Sequence, residues 1–235
     1  MENKRKYTTL LWDLDNTLLD FDYSEREAIL RCFHAEGLPV DDAVVGLYSR
    51  INDGYWKQLE LGKVTREYLV SARFRDLFDQ LSIMGVDVER FRLRYEEELG
   101  NVYQYIEDSL NLCKNLKAEG FQQYIITNGT PSVQYHKLEL SGLDQVMDGI
   151  FVSEELGASK PAPAFFEACL ARIKEKDPGK ILVIGDSLTS DIKGGIQAGL
   201  PTCWYKRQAA CNGTSWQPDY EIECLHDICK ILEEK

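Results

Sequence analysis

Tyr7-Thr8-Thr9-Leu10-Leu11-Trp12-Asp13-Leu14-Asp15-Asn16-Thr17 is a short, apolar, β-prone run that stops abruptly in two carboxylates. It predicts a buried strand over Tyr7–Trp12 whose C-terminal edge carries Asp13 and Asp15. Residues two apart in an extended chain project to the same side, so the two acids share one environment. Adjacent carboxylates repel until one binds a metal or keeps a proton. Taken alone, the pair also fits a strand end followed by an Asp-Asn turn or helix cap.

The same pattern recurs twice. Phe121–Ile126 runs into Thr127-Asn128-Gly129, and Ile181–Ile184 runs into Gly185-Asp186-Ser187. Weaker strands are predicted near Gly149–Val152, Pro201–Tyr205 and Tyr220–Ile222. Between them lie helical periodicities over Ser109–Glu119, Val133–Leu140, Pro163–Lys174, Ser190–Ala198 and Leu225–Leu232. Gly120, Gly142 and Gly199 stand where helix C-caps are expected. Strands alternating with helices predict an α/β fold, a parallel sheet covered on both faces. Ligands of such sheets bind outside the carboxyl ends of the strands, and all three polar clusters sit at that edge.

One interval breaks the rhythm. About a hundred residues separate Thr17 from Phe121, where a βαβ step needs only about 30. Tyr23 to Gly100 carries no strand pattern but has apolar residues at three- and four-residue spacing, among them Tyr55, Leu59, Leu69, Phe74, Leu77, Phe78 and Leu81. The reading is an all-α insertion at residues 20–100 within a core made of residues 1–19 and 101–235. There is no internal repeat, and Gly213 to Pro218 reads as a polar loop.

The 27 Lys and Arg against 39 Asp and Glu, a net charge of -12, argue against a nucleic-acid polymer as partner, which would need a basic stripe. A small anion must instead be drawn in by a metal ion, a lysine or a helix N-terminus. The seven cysteines form no C-x-x-C pair and the three histidines are dispersed, which argues against a zinc site. Free, mostly buried thiols in a reducing compartment are expected, hence a cytoplasmic location. The apolar run after Lys4, Arg5 and Lys6 is too short for a signal peptide, and no segment reaches the roughly 20 apolar residues of a membrane span.

Each polar cluster has its own chemistry. A hydroxyl and exposed backbone N–H groups at Thr127-Asn128-Gly129 suit a phosphate, although Asn-Gly is also a common turn. Lys160 lies in Ala158-Ser159-Lys160-Pro161-Ala162-Pro163, just before a helix, a place where a solvated lysine is equally at home. Asp186, with Asp191 five residues on, offers carboxylate oxygens suited to Mg²⁺; the alternative makes Asp186 a helix cap and Asp191 an exposed helical residue.

Taken together, D-x-D-x-T, a strand-ending T-N-G, a K-P and G-D-S-x-x-x-x-D occur in order at four loops of one sheet. The chain resembles the haloacid-dehalogenase-like phosphohydrolases over essentially its whole length. The resemblance implies a Rossmannoid core with a helical C1-type cap in the long insertion. It implies that Asp13 is the nucleophile that becomes an aspartyl-phosphate, and that Asp15 is the general acid and base. Mg²⁺ would be held by Asp13, the backbone carbonyl of Asp15, and Asp186. Thr127, Asn128 and Gly129 would bind phosphate, Lys160 would neutralise charge, and Asp191 would orient the metal shell or Lys160. Cap opening and closing would hinge near Asp20–Tyr23 and Gly100–Val102.

Within that family Asp15 indicates a phosphatase or phosphomutase, since the dehalogenases lack the second aspartate and the related P-type ATPases carry threonine there. The run Gly185–Ile196 with Ala198-Gly199 and Thr202-Cys203-Trp204, and the cap residues Trp56, Gly62, Thr65, Arg73 and Phe74, are similar to the YjjG-type pyrimidine 5′-nucleotidases. That branch implies a housekeeping enzyme acting on dUMP, dTMP and UMP. The chain is expected to be a monomer or weak homodimer. Phe21, Tyr23, Tyr55, Trp56 and Phe74 could stack a base, or simply form the cap's own core. A sugar-phosphate enzyme of phosphoglycolate phosphatase or phosphoglucomutase type, and a catalytically silent protein binding a phosphorylated ligand, remain alternatives.

Overall fold

The computed structural model describes residues 5–207 and 214–233; Cys211 and the start of the expected polar loop at Gly213 lie outside the described residues. Strand β1, Thr9–Trp12, is buried along its whole length. Between it and β2 (Gln122–Thr127) the chain runs through α1 (Phe21–Ala35), α2 (Asp42–Glu60), α3 (Arg66–Gln80), α4 (Val88–Gly100) and α5 (Ser109–Ala118). Helix α6 (Pro131–Ser141), β3 (Gly149–Val152), α7 (Ser153–Leu156), α8 (Pro163–Arg172) and β4 (Ile181–Gly185) follow. The described chain closes with α9 (Lys193–Gln197), β5 (Thr202–Tyr205), β6 (Tyr220–Ile222) and α10 (Ile228–Glu233).

The strands form one sheet in the order β3-β2-β1-β4-β5-β6, and every pairing is parallel. Leu11 stands in register with Tyr124 on one side and Val183 on the other. Because β2 and β4 flank β1 from opposite directions, the connections diverge there. That divergence opens the crevice in which open α/β sheets hold their ligands. Side chains alternate across the sheet. Leu11, Ile126 and Val183 pack with Phe165, Phe166 and Cys169 of α8 on one face. On the other face Trp12 Nε1 donates to Gln123 Oε1 at 3.2 Å, and Gln123 Nε2 donates to the Cys113 carbonyl of α5 at 2.8 Å. A buried glutamine is thereby satisfied from both sides.

All six expected strands form, and Gly120, Gly142 and Gly199 take the left-handed backbone that ends a helix. Two helices start differently from the reading. The one expected from Ser190 begins as a π-helical turn, Leu188–Ile192, before α9. Ser187 Oγ accepts from the Ser190 amide, and the Ser187 carbonyl accepts from both Asp191 and Ile192. That widened turn directs Asp191 inward. The helix expected from Leu225 opens with a 3₁₀ turn, Leu225–Asp227.

The chain divides into two compact units. One comprises the residues up to Asp20, Tyr105–Pro131 and everything from Leu138 on; it contains the sheet. The other is Phe21–Gln104 with Ser132–Lys137. The helical unit starts its helices with side-chain caps: Asp41 accepts from the Val44 amide, Thr65 from Tyr68, and Asp87 from Glu89 and Arg90. Its core is aromatic. Phe74 stacks on Tyr48 with centroids 5.3 Å apart, and Phe91 meets Phe74 and Phe78 edge-on. Phe74 is therefore enclosed and offers no free ring to a base. Tyr55 is almost fully buried, with its hydroxyl donating to Asp76 at 2.7 Å. These two rings belong to the unit's own core. Among the described residues no helix is long and apolar enough to cross a membrane.

Candidate active site

The carboxyl ends of β1, β2 and β4 each deliver part of one buried cluster. Asp13 follows β1 directly, and its amide donates to the Ile184 carbonyl at 2.9 Å, which fixes it beside the end of β4. Thr17 Oγ1 donates to Asp13 Oδ2 at 3.2 Å. Lys160, from the loop before α8, is 3% exposed and reaches back beneath the strand ends. Its Nζ donates to Asp13 Oδ1 at 2.6 Å, to Asp191 Oδ1 at 2.7 Å and to the Ile126 carbonyl at 2.9 Å. An ammonium has three donors, and all three are used.

The lysine backbone is held as firmly as its head group. Asn128 Nδ2 donates to the Lys160 carbonyl, and the Lys160 amide donates to Asn128 Oδ1, both at 2.9 Å. The loop after β2 thus grips the loop that carries Lys160. Thr127 is buried, and its Oγ1 accepts from the Gly129 amide at 3.0 Å. Asp15 sits two residues beyond Asp13, half-buried, in a bridge with Leu19. Asn16 between them takes a left-handed φ of 63°.

Asp186 follows β4 and is half-buried. Its carbonyl accepts from Trp204 Nε1 at 2.8 Å. Asp191 is buried and accepts from the Ser187 amide at 3.2 Å as well as from Lys160. A Cβ added to Gly185 would lie 2.3 Å from Asp191 Oδ2, so the glycine is needed for the carboxylate to fit. Carboxylate oxygens of Asp13, Asp186 and Asp191 all lie within 4.8 Å of one another.

That convergence has an electrostatic consequence. Burial pushes Asp13 up to about 7; Lys160 opposes the shift, and the charges of Asp191 and then Asp15 add to it. Burial also holds Asp186 well above the usual carboxylate range, reinforced by Asp13 and Asp191. Lys160 loses by burial, but Asp13 and Asp191 more than compensate, so it stays protonated. Three carboxylates against one ammonium leave the cluster short of positive charge. An all-oxygen donor set of this kind fits a hard divalent cation such as Mg²⁺.

The structure brings Asp13, Lys160, Asp186 and Asp191 into mutual contact or near-contact, with Asp15 close enough to affect Asp13. Two contributions exceed the sequence reading. Asn128 acts through its side chain on Lys160, and Thr17 supports Asp13. Arg207, just beyond β5, had no sequence signal: it donates to Asn16 Oδ1 and, at 2.7 Å, to Asp20 Oδ2. A lone arginine after a strand has no local pattern that would single it out.

Residues 7–199 match the family model of the haloacid dehalogenase-like hydrolases. The chain is 37% identical to the HAD-hydrolase YfnB of Bacillus subtilis, covering 97% of this chain and 96% of that protein. A crystal structure of YfnB bound to magnesium superposes with a TM-score of 0.92, over 97% of this chain and 100% of that one. The pyrimidine 5′-nucleotidase PynA of Streptococcus pneumoniae is 36% identical over 97% of this chain and 95% of its own length. The pyrimidine 5′-nucleotidase YjjG of Escherichia coli is 26% identical over 97% and 98%.

Proposed function

Because the chain belongs to the haloacid dehalogenase-like hydrolases, we propose that it is a Mg²⁺-dependent phosphomonoesterase working through an aspartyl-phosphate on Asp13. The observation that carries this reading is the meeting of Asp13, Asp186 and Asp191 at the carboxyl edge of the sheet, with buried Lys160 bridging Asp13 and Asp191. Mg²⁺ held by Asp13, the Asp15 carbonyl and Asp186 would offset the repulsion between a carboxylate nucleophile and a phosphate dianion.

The chain's own residues divide the remaining work. An Asp13 carboxylate oxygen attacks phosphorus as the ester P–O bond breaks, and Asp15 gives its proton to the leaving alkoxide. Asp15 then takes a proton from water, whose oxygen attacks the same phosphorus; phosphate leaves and Asp13 is restored. Thr127 with the amides of Asn128 and Gly129 would cradle the phosphate oxygens, the Gly129 amide turning to them from Thr127 Oγ1. Lys160, fixed by three acceptors, faces the charge that builds on the transferring group. Asp191 is a positioning residue that acts through Lys160.

The likeness to PynA and YjjG favours (deoxy)pyrimidine nucleoside monophosphates such as dUMP, dTMP and UMP as substrates, in a housekeeping role. Phosphate release from a panel of nucleoside monophosphates and sugar phosphates, with Mg²⁺ and with EDTA, tests both levels. Metal-dependent turnover strongest on pyrimidine monophosphates is expected, and Asp13→Asn should lower kcat by roughly a thousandfold or more. Turnover confined to sugar phosphates would keep the chemistry and reject the nucleotidase. No turnover on any substrate would reject the phosphatase.

A further inference from the structure

We propose that Glu107, Cys224 and His226 form a second metal site, distinct from the carboxylate cluster and suited to Zn²⁺. Glu107 lies in the turn before α5; Cys224 and His226 lie in the turn after β6. The chain separates them by more than a hundred residues, and the fold brings a carboxylate oxygen, a thiol sulfur and an imidazole nitrogen within 4.8 Å of one another. The sequence argues against a zinc site because its cysteines and histidines are dispersed and form no C-x-x-C pair; that pattern does not register a set whose third ligand is a glutamate far upstream.

The spacing is close to what coordination requires. Tetrahedral zinc, with Zn–S at about 2.3 Å and Zn–N and Zn–O near 2.0–2.2 Å, sets S···O at about 3.5 Å and N···O at about 3.3 Å. Cys224 Sγ lies 3.1 Å from Glu107 Oε2, and His226 Nδ1 lies 3.6 Å from the same oxygen. Each of these two distances is within a few tenths of an ångström of the tetrahedral value, and the sulfur and the nitrogen lie within 4.8 Å of each other. In the metal-free protein the thiol donates to Glu107; on binding, its proton would pass to solvent and the metal would take its place.

Outer contacts hold the carboxylate in position. The Leu225 amide donates to Glu107 Oε1 at 3.1 Å and Oε2 at 3.0 Å, and the Tyr205 hydroxyl donates to Oε1 at 3.3 Å. Such partners fix the orientation of a ligating group. They also give Glu107 a purely structural job, capping the 3₁₀ turn at Leu225. That job alone does not account for a thiol and an imidazole converging on one of its oxygens. The mixed N, O and S donors separate this site from the all-oxygen cluster at Asp13: zinc accepts sulfur readily and Mg²⁺ does not. Three protein ligands leave a fourth position for water, and the bound ion would tie the turn before α5 to the turn after β6.

The test uses the full chain, stripped of metal and kept in excess Mg²⁺, titrated with Zn²⁺ against a chromophoric chelator and separately with Co²⁺. The expected result is zinc binding that weakens roughly tenfold or more in both Cys224→Ser and His226→Ala. Cobalt should give a sulfur-to-metal charge-transfer band in the native protein that vanishes in Cys224→Ser. Glu107→Gln, which keeps an acceptor for the Leu225 amide, should weaken zinc similarly while the protein stays folded. Zinc affinity unchanged in all three variants, or a cobalt–thiolate band that survives Cys224→Ser, overturns the proposal.

Discussion

Lys160 Nζ is a buried cation shared by Asp13 and Asp191, so its removal leaves two enclosed carboxylates without that counter-charge. Breaking a buried pair in this way costs about 3–5 kcal/mol, because the surviving charges cannot recover their hydration. Lys160→Met is therefore expected to lose turnover and also to unfold at lower urea concentration, with an unchanged m-value. Gly185 makes a different demand. Any Cβ there collides with Asp191, and Asp191 cannot retreat without releasing the lysine. Gly185→Ala should cost about 1–3 kcal/mol as an overpacked site and reduce kcat through the displaced ammonium. Equilibrium unfolding and steady-state kinetics on the same preparation check both effects.

At the scale of elements, the helical unit carries a buried polar chain linking α1, α2 and α3. Arg73 Nη1 donates to Asn52 Oδ1, and Asn52 Nδ2 donates to Glu25 Oε1, each at 2.7 Å. Burial raises the Glu25 carboxyl from its ordinary 4.5 to about 7, with Ser49 and Asn52 opposing the shift. The folded protein therefore binds this proton more tightly than the unfolded chain does. That stabilisation is complete below pH 4.5 and is lost as pH rises through 7, about 3 kcal/mol in all. Glu25→Gln keeps an acceptor for Asn52 and should flatten the decline. Urea titrations of both proteins from pH 4.5 to 8 measure the difference. The strands were legible because their apolar runs end sharply in Asp13, Thr127 and Asp186. The π-helical start of the last motif was not, since it arises from Asp191 turning inward to a lysine that comes from another loop. The side-chain role of Asn128 was hidden for the same reason: its partner is the backbone of Lys160, 32 residues away.

For the whole molecule, the shortage of positive charge at the sheet edge links stability to metal. Without a divalent cation, Asp186 adds repulsion to Asp13 and Asp191. Asp186→Asn should therefore raise Tm in EDTA and, if the proposed Mg²⁺ site is used, abolish the rise expected of the native chain in Mg²⁺. At a hundred times its Kd a ligand adds about 2.7 kcal/mol, which for a protein of this size is roughly 5–10 °C. Calorimetry on the two proteins, with and without Mg²⁺, should give crossing rather than parallel responses. The position of β1 has a consequence for biosynthesis. The strand at the middle of the sheet is made first, yet its neighbours begin at Gln122 and Ile181. At about 5–20 residues per second, Thr9–Trp12 leaves the ribosome roughly ten to thirty seconds before both of its edges can be paired. Through that interval the nascent chain carries an apolar segment that only later translation can cover, while α1 to α4, made of local contacts, can already assemble.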